Sequence, residues 1–154
     1  MSQVDPGMKK LVQVALVVDD IEAACRRWAK LLGVDPPKIN TTRPGNEKGM
    51  LFRGQPSNAQ VKLAFFHLGQ VAIELLQPVG EGSSWHEALQ KNGPGVHHIA
   101  FNVEDKDKAV ADAAQLGLSV FHQGRYDSDN GTYIYLDSEE QLGVTVELLN
   151  SDKQ

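Results

Sequence analysis

Apolar residues in the first half of the chain recur with the spacings of two kinds of element. Residues 11–18, LVQVALVV, form a β-branched run that is typical of a strand. Asp19 begins a pattern like a capping box, the apolar spacing becomes helical from Ile21, and Gly33 ends that helix. The runs VKLAFFHL and VAIELLQP flank a Gly-Gln turn and predict paired antiparallel strands. Residues 38–60 are rich in turn formers, so we expect a long mobile loop with one weak strand.

The same order of elements begins again after a short connection. Ser84 and Glu87 introduce a linker helix, predicted over residues 83–92, which stops before a Gly-Pro-Gly sequence. VHHIAFNV then predicts a strand, and a helical pattern follows Asp105 and ends at Gly117. The runs LSVFHQ, TYIYLD and GVTVELLN predict three more strands. The sequence therefore predicts that one structural unit occurs twice in the chain.

Direct alignment of the two halves supports this repeat. VQVALVVDD at 12–20 aligns with HHIAFNVED at 97–105, and IELL at 73–76 aligns with VELL at 146–149. Each half alone is an incomplete sheet that must pair with the other to bury its apolar face. We predict an α+β fold in which two tandem βαβββ repeats form a curved mixed sheet around a shared cleft. The predicted parts are a disordered N-terminal tail (1–9), repeat one (10–78), the linker helix (83–92) and repeat two (95–150).

Four polar residues occupy matching positions in this repeat. Gln13 aligns with His98, and Glu74 aligns with Glu147. Side chains alternate along a strand, so each of the four shares a face with small or apolar neighbours and points away from the helices. The alternation therefore predicts that Gln13, Glu74, His98 and Glu147 face one shared cleft.

A glutamate in the middle of an apolar strand has a desolvation cost of several kcal/mol in effective terms unless a cation or hydrogen-bond partner meets it. A lone strand glutamate is usually an edge residue, and a lone histidine is usually a packed or surface residue. The matching repeat positions of Glu74 and Glu147 favour a common partner instead. One imidazole with oxygen ligands suits one divalent ion such as zinc, nickel, cobalt, manganese or iron.

The other polar and reactive residues predict structural roles. His97 faces the helix side by alternation, as a packed group or one that supports a ligand, whereas His67, His86 and His122 are expected at the surface. Cys25 lies in a helical pattern and is expected in the core rather than as a nucleophile. The acidic run at 137–140 predicts a solvated turn.

Composition narrows the classes of partner. The 154 residues include 41% hydrophobic residues, enough for one core, and the net charge of -5 argues against a nucleic-acid-binding role. No run approaches the roughly 18 apolar residues that cross a bilayer, and the start lacks an apolar signal region. The single cysteine fits a reducing compartment, so the sequence predicts a cytoplasmic protein without a membrane partner.

The stretch KLAFFHLGQVAIELLQPVGEGSSWHEALQKNGPGVHHIAFNVED resembles the vicinal oxygen chelate superfamily, most of all its methylmalonyl-CoA epimerases. The resemblance covers about residues 10–150. It implies a metal held by Gln13, Glu74, His98 and Glu147, with Glu147 or Glu74 as the base that removes a proton next to a carbonyl. It also implies an acyl-CoA thioester or another carbonyl compound as substrate, and a homodimer. The length and composition of the 38–60 loop, rather than the resemblance, predict a substrate lid there.

Two departures from these epimerases leave the activity open. They usually carry a histidine where this chain has Gln13, and a Gln, Glu, His, Glu set also resembles some glyoxalase I enzymes. They also tend to have a His-Pro turn where this chain has Asp137-Ser138-Glu139-Glu140-Gln141. The alternatives are therefore a glyoxalase I-type lactoylglutathione lyase and a non-catalytic small-molecule-binding relative.

Overall fold

The structure, a computed structural model, describes residues 4–153. The first repeat begins with strand β1 and helix α1, continues through three two-residue strands and a 3-10 helix at Gly45–Lys48, and ends with two long strands. Its elements are β1 (Leu11–Val17), α1 (Ile21–Leu32), β2 (Asn40–Thr41), β3 (Leu51–Phe52), β4 (Gln55–Pro56), β5 (Gln60–Leu68) and β6 (Val71–Val79).

The second repeat follows a connecting helix and contains a further short helix before its last strand. The connecting helix is α2 (Ser84–Asn92). The repeat comprises β7 (Gly95–Asn102), α3 (Lys106–Gln115), β8 (Val120–Arg125), β9 (Gly131–Leu136), α4 (Glu139–Leu142) and β10 (Thr145–Ser151). Within residues 4–153, no helix is long and apolar enough to cross a bilayer.

All strands of the described chain belong to one curved mixed sheet, with the order β2-β5-β6-β1-β7-β10-β9-β8-β3-β4. The two repeats meet at the antiparallel pair β1 and β7, and each of these also pairs in parallel with the last strand of its own repeat. The register is the same in both repeats, because Ala15 lies opposite Glu74 and Ala100 lies opposite Glu147. The predicted fold and repeat alignment are confirmed.

Because side chains alternate along each strand, the buried apolar residues form separate clusters on the two faces of the sheet. On the convex face, Leu16 and Leu75 pack with α1, and Phe101 and Leu148 pack with α3. The cluster on the inner face contains Ala15, Met50, Ala59, Val61, Leu76, Trp85, Tyr133 and Tyr135. The inner face of the four central strands therefore forms the floor of a cleft.

Both predicted helix starts are wrong by one residue. Asp20, rather than Asp19, caps α1 by accepting a hydrogen bond from the backbone N–H of Ala23 at 3.1 Å. Ser83, rather than Ser84, caps α2 by accepting from the N–H of His86 at 3.0 Å. The shift leaves the Ser84 hydroxyl available for other partners.

The segment at 38–60 contains three two-residue strands and a 3-10 helix, where one weak strand was predicted. It crosses from one end of the sheet to the other, because β2 pairs with β5 and β3 pairs with β8. Met50 from this segment is buried in the inner cluster. At 137–140 the predicted turn instead leads into α4, and Asp137 is exposed while Ser138 is fully buried.

The predicted tail extends over residues 1–9, of which 1–3 lie outside the described residues. Residues 4–10 form neither helix nor strand. Asp5 contacts α3, since its backbone N–H donates to Asp112 Oδ2 at 3.2 Å, and Met8 packs against the cluster under α3. Disorder of the tail stays a prediction.

Candidate functional site

The four central strands each contribute one of the predicted site residues to the inner face. Gln13 lies on β1, Glu74 on β6, His98 on β7 and Glu147 on β10, and all four side chains are buried. Because these strands are adjacent in the order β6-β1-β7-β10, their central residues converge. We refer to Gln13, Glu74, His98 and Glu147 as the donor cluster.

The ring nitrogen Nε2 of His98 is the meeting point of the donor cluster. It lies 2.8 Å from Gln13 Oε1, 3.1 Å from Glu147 Oε1 and 3.6 Å from Glu74 Oε1. The structure thus brings together all four residues that strand alternation placed on one face. In residues 4–153, however, no group of three or more His, Cys, Asp or Glu side chains is already arranged to hold a metal ion, and the donors here contact one another.

Burial dominates the electrostatics of the donor cluster. It raises the pKa of Glu74 well above its ordinary value, and the nearby charge of Glu147 acts in the same direction. Burial raises the pKa of Glu147 to about 8, against a lowering effect from its hydrogen bond with Tyr135. Burial also lowers the pKa of His98 to about 3, so its contacts with the glutamates are those of a neutral imidazole rather than an ion pair.

A buried chain of hydrogen bonds extends from the other side of His98. His98 Nδ1 lies 2.7 Å from His97 Nδ1, and His97 Nε2 lies 3.1 Å from the hydroxyl of Ser84. Ser84 Oγ lies 2.7 Å from His122 Nδ1, and His122 Nε2 lies 3.2 Å from the hydroxyl of Tyr133. We refer to His97, Ser84, His122 and Tyr133 as the hydrogen-bonded chain.

The histidine predictions are right in part. His97 packs against His98 and α2 as expected, and His67 is exposed. The prediction for His122 is wrong, because its exposed fraction is 0%. Its ring lies 4.6 Å from the ring of Trp85 and 4.8 Å from that of Tyr135. Burial lowers the pKa of His122 well below its ordinary value, with the neighbouring His97 as a further cause.

A cleft of about 530 Å³ opens above the donor cluster. Its walls include Phe65, Leu63, Leu149 and the rings of Tyr126, Tyr133 and Tyr135, whereas Phe66 lies in the core behind the sheet. This volume falls in the range of small-molecule sites.

The segment at 38–60 supplies part of the cleft wall through Thr42 and Lys48. The ammonium of Lys48 is buried and lies 3.2 Å from Asp127 Oδ1, on the turn between β8 and β9. Asp127 also accepts from the backbone N–H of Arg43 at 2.9 Å, so it holds the segment to that turn. These contacts were not foreseen from the sequence, and a lid role for the segment stays a prediction.

Tyr133 and Tyr135 were not predicted as cleft residues, although the alternation of side chains along their strand indicates their position. In TYIYL, Tyr133 and Tyr135 share one face, and Ile134 and Leu136 take the other and pack under α3. The hydroxyl of Tyr135 accepts from the indole N–H of Trp85 at 3.0 Å. The positions of Ser84 and His122 depend on contacts between distant segments, for which the sequence carries no local pattern.

Comparison with known proteins agrees with this architecture. The chain is 31% identical over 142 residues to the ethylmalonyl-CoA/methylmalonyl-CoA epimerase of Cereibacter sphaeroides, covering 90% of this chain and 96% of that relative. It is 30% identical over 144 residues to the mitochondrial methylmalonyl-CoA epimerase of Homo sapiens, covering 92% of this chain and 74% of that relative.

Among solved structures, a methylmalonyl-CoA epimerase in complex with methylmalonyl-CoA and NH4+ superposes with a TM-score of 0.65 at 25% identity, covering 94% of this chain and 96% of that chain. Residues 12–136 match the family model of the glyoxalase, bleomycin resistance protein and dioxygenase superfamily. The resemblance seen in the sequence is confirmed, and the chain belongs to the glyoxalase/bleomycin resistance protein/dioxygenase superfamily.

Proposed function

We propose that this chain is a divalent-metal-dependent epimerase that removes and returns a proton next to the carbonyl of an acyl-CoA thioester. The observation that carries the proposal is the convergence of two buried carboxylates with His98 and Gln13 at the floor of one cleft. The relatives named as epimerases, and the solved epimerase with bound methylmalonyl-CoA, support the reaction and the substrate class.

The donor cluster has suitable chemistry and spacing for a metal ion. Two ligands bound to one zinc-like ion at about 2.1 Å, with an angle between tetrahedral and right-angled, lie about 3.0 to 3.4 Å apart. The distances from His98 Nε2 to the three oxygens, 2.8, 3.1 and 3.6 Å, bracket that interval. The two carboxylates, Glu74 and Glu147, would balance the charge of a divalent ion. Zinc, nickel, cobalt and manganese are the candidates.

The buried carboxylates have the properties that proton transfer requires. Without a metal ion, burial raises the pKa of both carboxyls, so each binds a proton more strongly than an exposed carboxylate does. Glu74 on β6 and Glu147 on β10 approach the floor from opposite sides of β1 and β7. One carboxylate can therefore remove a proton from one face of the substrate carbon, while the acid form of the other returns a proton to the opposite face.

A divalent ion in the donor cluster would act as a Lewis acid that stabilises the negative charge developing on the carbonyl oxygen. The apolar and aromatic walls of the cleft lower the polarity around this position, which strengthens its electrostatic interactions. The phenol of Tyr135 favours the charged form of Glu147, since hydrogen bonding to it lowers the pKa of that carboxyl.

Solvent exchange tests the proposal directly. Methylmalonyl-CoA would be incubated in deuterium oxide with protein loaded with each candidate metal, and deuterium at the α-carbon would be measured by mass spectrometry. We expect exchange in the wild type and a loss of about 100-fold or more in Glu147→Gln and Glu74→Gln. Glu81→Gln, at an exposed loop position, is the matched control that should exchange as the wild type does.

Two outcomes would contradict the epimerase proposal. Turnover of a glutathione hemithioacetal without exchange into methylmalonyl-CoA would assign the glyoxalase I-type reaction, which the Gln, Glu, His, Glu set also suits. Ligand binding without either reaction would assign a non-catalytic binding protein. Homodimer assembly and a cytoplasmic location also stay predictions, and sedimentation of the purified chain measures the first.

A further inference from the structure

The hydrogen-bonded chain connects the back of His98 to the cleft wall, and the proposed reaction does not use it. It runs through His97, Ser84 and His122 to Tyr133, and its members are at most 8% exposed. Each link lies between 2.7 and 3.2 Å. A neutral imidazole carries one N–H, so a neutral ring with a partner at both nitrogens donates from one and accepts at the other. Protons in the hydrogen-bonded chain can therefore all be donated toward Tyr133 or all toward His98.

A backbone group selects one of the two directions. Ser84 lies in the first turn of α2, where the backbone N–H groups have no partner inside the helix. The N–H of Ser84 points to His122 Nδ1 at a long 3.4 Å. This contact is attractive only if His122 Nδ1 accepts, because two N–H groups facing each other would repel. His122 must therefore carry its proton on Nε2.

The remaining links follow from that assignment. The Ser84 hydroxyl donates to His122 Nδ1, so Ser84 Oγ accepts from His97 Nε2. His97 Nδ1 then accepts from His98 Nδ1. This direction leaves His98 Nε2 without a proton, so its lone pair faces the three oxygens of the donor cluster. These acceptors would repel one another unless a cation lies between them. Without a cation, the acid proton of Glu147, 3.1 Å away, takes that place. At the other end, His122 Nε2 donates to the Tyr133 hydroxyl, whose own proton is not used by the chain.

We propose that the hydrogen-bonded chain holds His98 in the tautomer that binds a cation through Nε2 and leaves Tyr133 as a hydrogen-bond donor to the acyl-CoA ligand in the cleft. His97, Ser84 and His122 are positioning residues, and Tyr133 is a ligand-binding residue. The cation and the ligand class rest on the proposed function. The direction of donation in the hydrogen-bonded chain is inferred only from the contact between the Ser84 N–H and His122 Nδ1.

Local packing places the Tyr133 hydroxyl at the end of this chain. Tyr133 lies on β9 opposite Gly124 of β8 and lines the cleft. A Cβ atom at Gly124 would lie 2.8 Å from the Tyr133 hydroxyl and 3.0 Å from the ring. A larger residue at Gly124 would therefore push the phenol away, and the glycine makes room for it.

Nitrogen NMR of the histidine rings tests the direction of the chain. Uniformly 15N-labelled protein would be measured without metal and with saturating zinc, with rings assigned from single histidine variants. We expect His97 and His122 to carry the proton on Nε2 in both states, because the backbone of Ser84 does not change. The exposed His67, which lies outside the hydrogen-bonded chain, serves as the internal reference. Protons on Nδ1 of His97 and His122 would overturn the proposal.

Adjacent serines of α2 offer a matched pair of variants. Ser84→Ala removes the central link but keeps the helix cap, so we expect His97 and His122 to show mixed tautomers and the zinc Kd to rise about 10- to 100-fold. Ser83→Ala removes the cap instead and should leave both tautomers and the zinc Kd unchanged. Equal zinc affinity in Ser84→Ala and the wild type would overturn the positioning role.

Ligand binding tests the role of Tyr133. Malonyl-CoA would be titrated into zinc-loaded wild type, Tyr133→Phe and Glu81→Gln, the last as a control at an exposed position outside the cleft. Loss of one donor should raise the Kd about 2- to 13-fold in Tyr133→Phe only, and an unchanged Kd would overturn its role. If zinc does not bind, the proposed function fails. The histidine tautomers measured without metal, and the malonyl-CoA titration without metal, then still test the roles of the hydrogen-bonded chain and of Tyr133.

Discussion

Replacing Glu147 by glutamine should stabilise the metal-free protein at neutral and alkaline pH. The Glu147 side chain is 5% exposed and lies beside Glu74 in the donor cluster. Burial raises the pKa of its carboxyl to about 8 from an ordinary value of 4.5. Between these pH values, the folded protein holds a proton that the unfolded chain has released.

The sign and size of the effect follow from proton linkage. Because the unfolded chain binds fewer protons, the free energy of unfolding falls as pH rises from 4.5 to 8 and stays low above that value. At about 1.4 kcal/mol per pH unit, the interval between the two pKa values of Glu147 corresponds to roughly 5 kcal/mol. Glu74 acts in the same direction, since its pKa is also raised.

Urea unfolding in the presence of a chelator, repeated from pH 5 to pH 9, measures this effect. The free energy of unfolding of the wild type should fall across this range. In Glu147→Gln it should fall less steeply, because unfolding releases about one proton fewer. The exposed Glu81→Gln variant should keep the slope of the wild type. The same pH dependence in Glu147→Gln and the wild type would refute the argument that Glu147 is held in a desolvated site.

Three further predictions use the same unfolding assay. Zinc at 100 times its Kd should raise the free energy of unfolding of the wild type by about 2.7 kcal/mol but leave His98→Ala unchanged; an equal gain in both would place the zinc elsewhere. Leu148→Ala should cost about 2 to 5 kcal/mol, because Leu148 is fully buried under α3. Ser138→Ala should cost about 1 to 3 kcal/mol, because its hydroxyl accepts from Val146 N–H and donates to the Val144 carbonyl; no loss would show that water replaces these bonds.

The donor cluster was predictable because two local regularities coincide in it. Strand alternation assigns a face to Gln13 and Glu74, and the repeat assigns the same face to His98 and Glu147. The shared register of the parallel pairs confirms both. The two glutamates indicate a functional site in the sequence, because a carboxylate is unusual in an apolar strand.

The hydrogen-bonded chain was not predictable from such regularities. His122 is buried because Phe52 of the long segment and Trp85 of α2 lie against its ring, and both come from distant parts of the chain. Ser84 was assigned as a helix cap because Ser83 and Ser84 are chemically equivalent in the sequence. Only the backbone geometry shows that Ser83 caps the helix and Ser84 turns toward the histidines.

Lys48 was missed for a similar reason. Segments rich in glycine, proline and asparagine predict exposed loops, and a lysine in such a segment predicts a solvated side chain. Its burial depends on Asp127, which lies in the other repeat. The sequence therefore indicates the strands that carry the site, whereas the walls of the cleft depend on contacts between the repeats.

The most direct test of the account is the metal content of the purified protein. Protein prepared without chelator would be analysed by plasma mass spectrometry beside His98→Ala and the matched control His67→Ala, whose histidine is exposed. The account predicts about one transition-metal ion per chain in the wild type and in His67→Ala, and loss of that ion in His98→Ala. Absence of bound metal after addition of zinc, nickel, cobalt and manganese, or full retention in His98→Ala, would contradict a metal centre at the donor cluster.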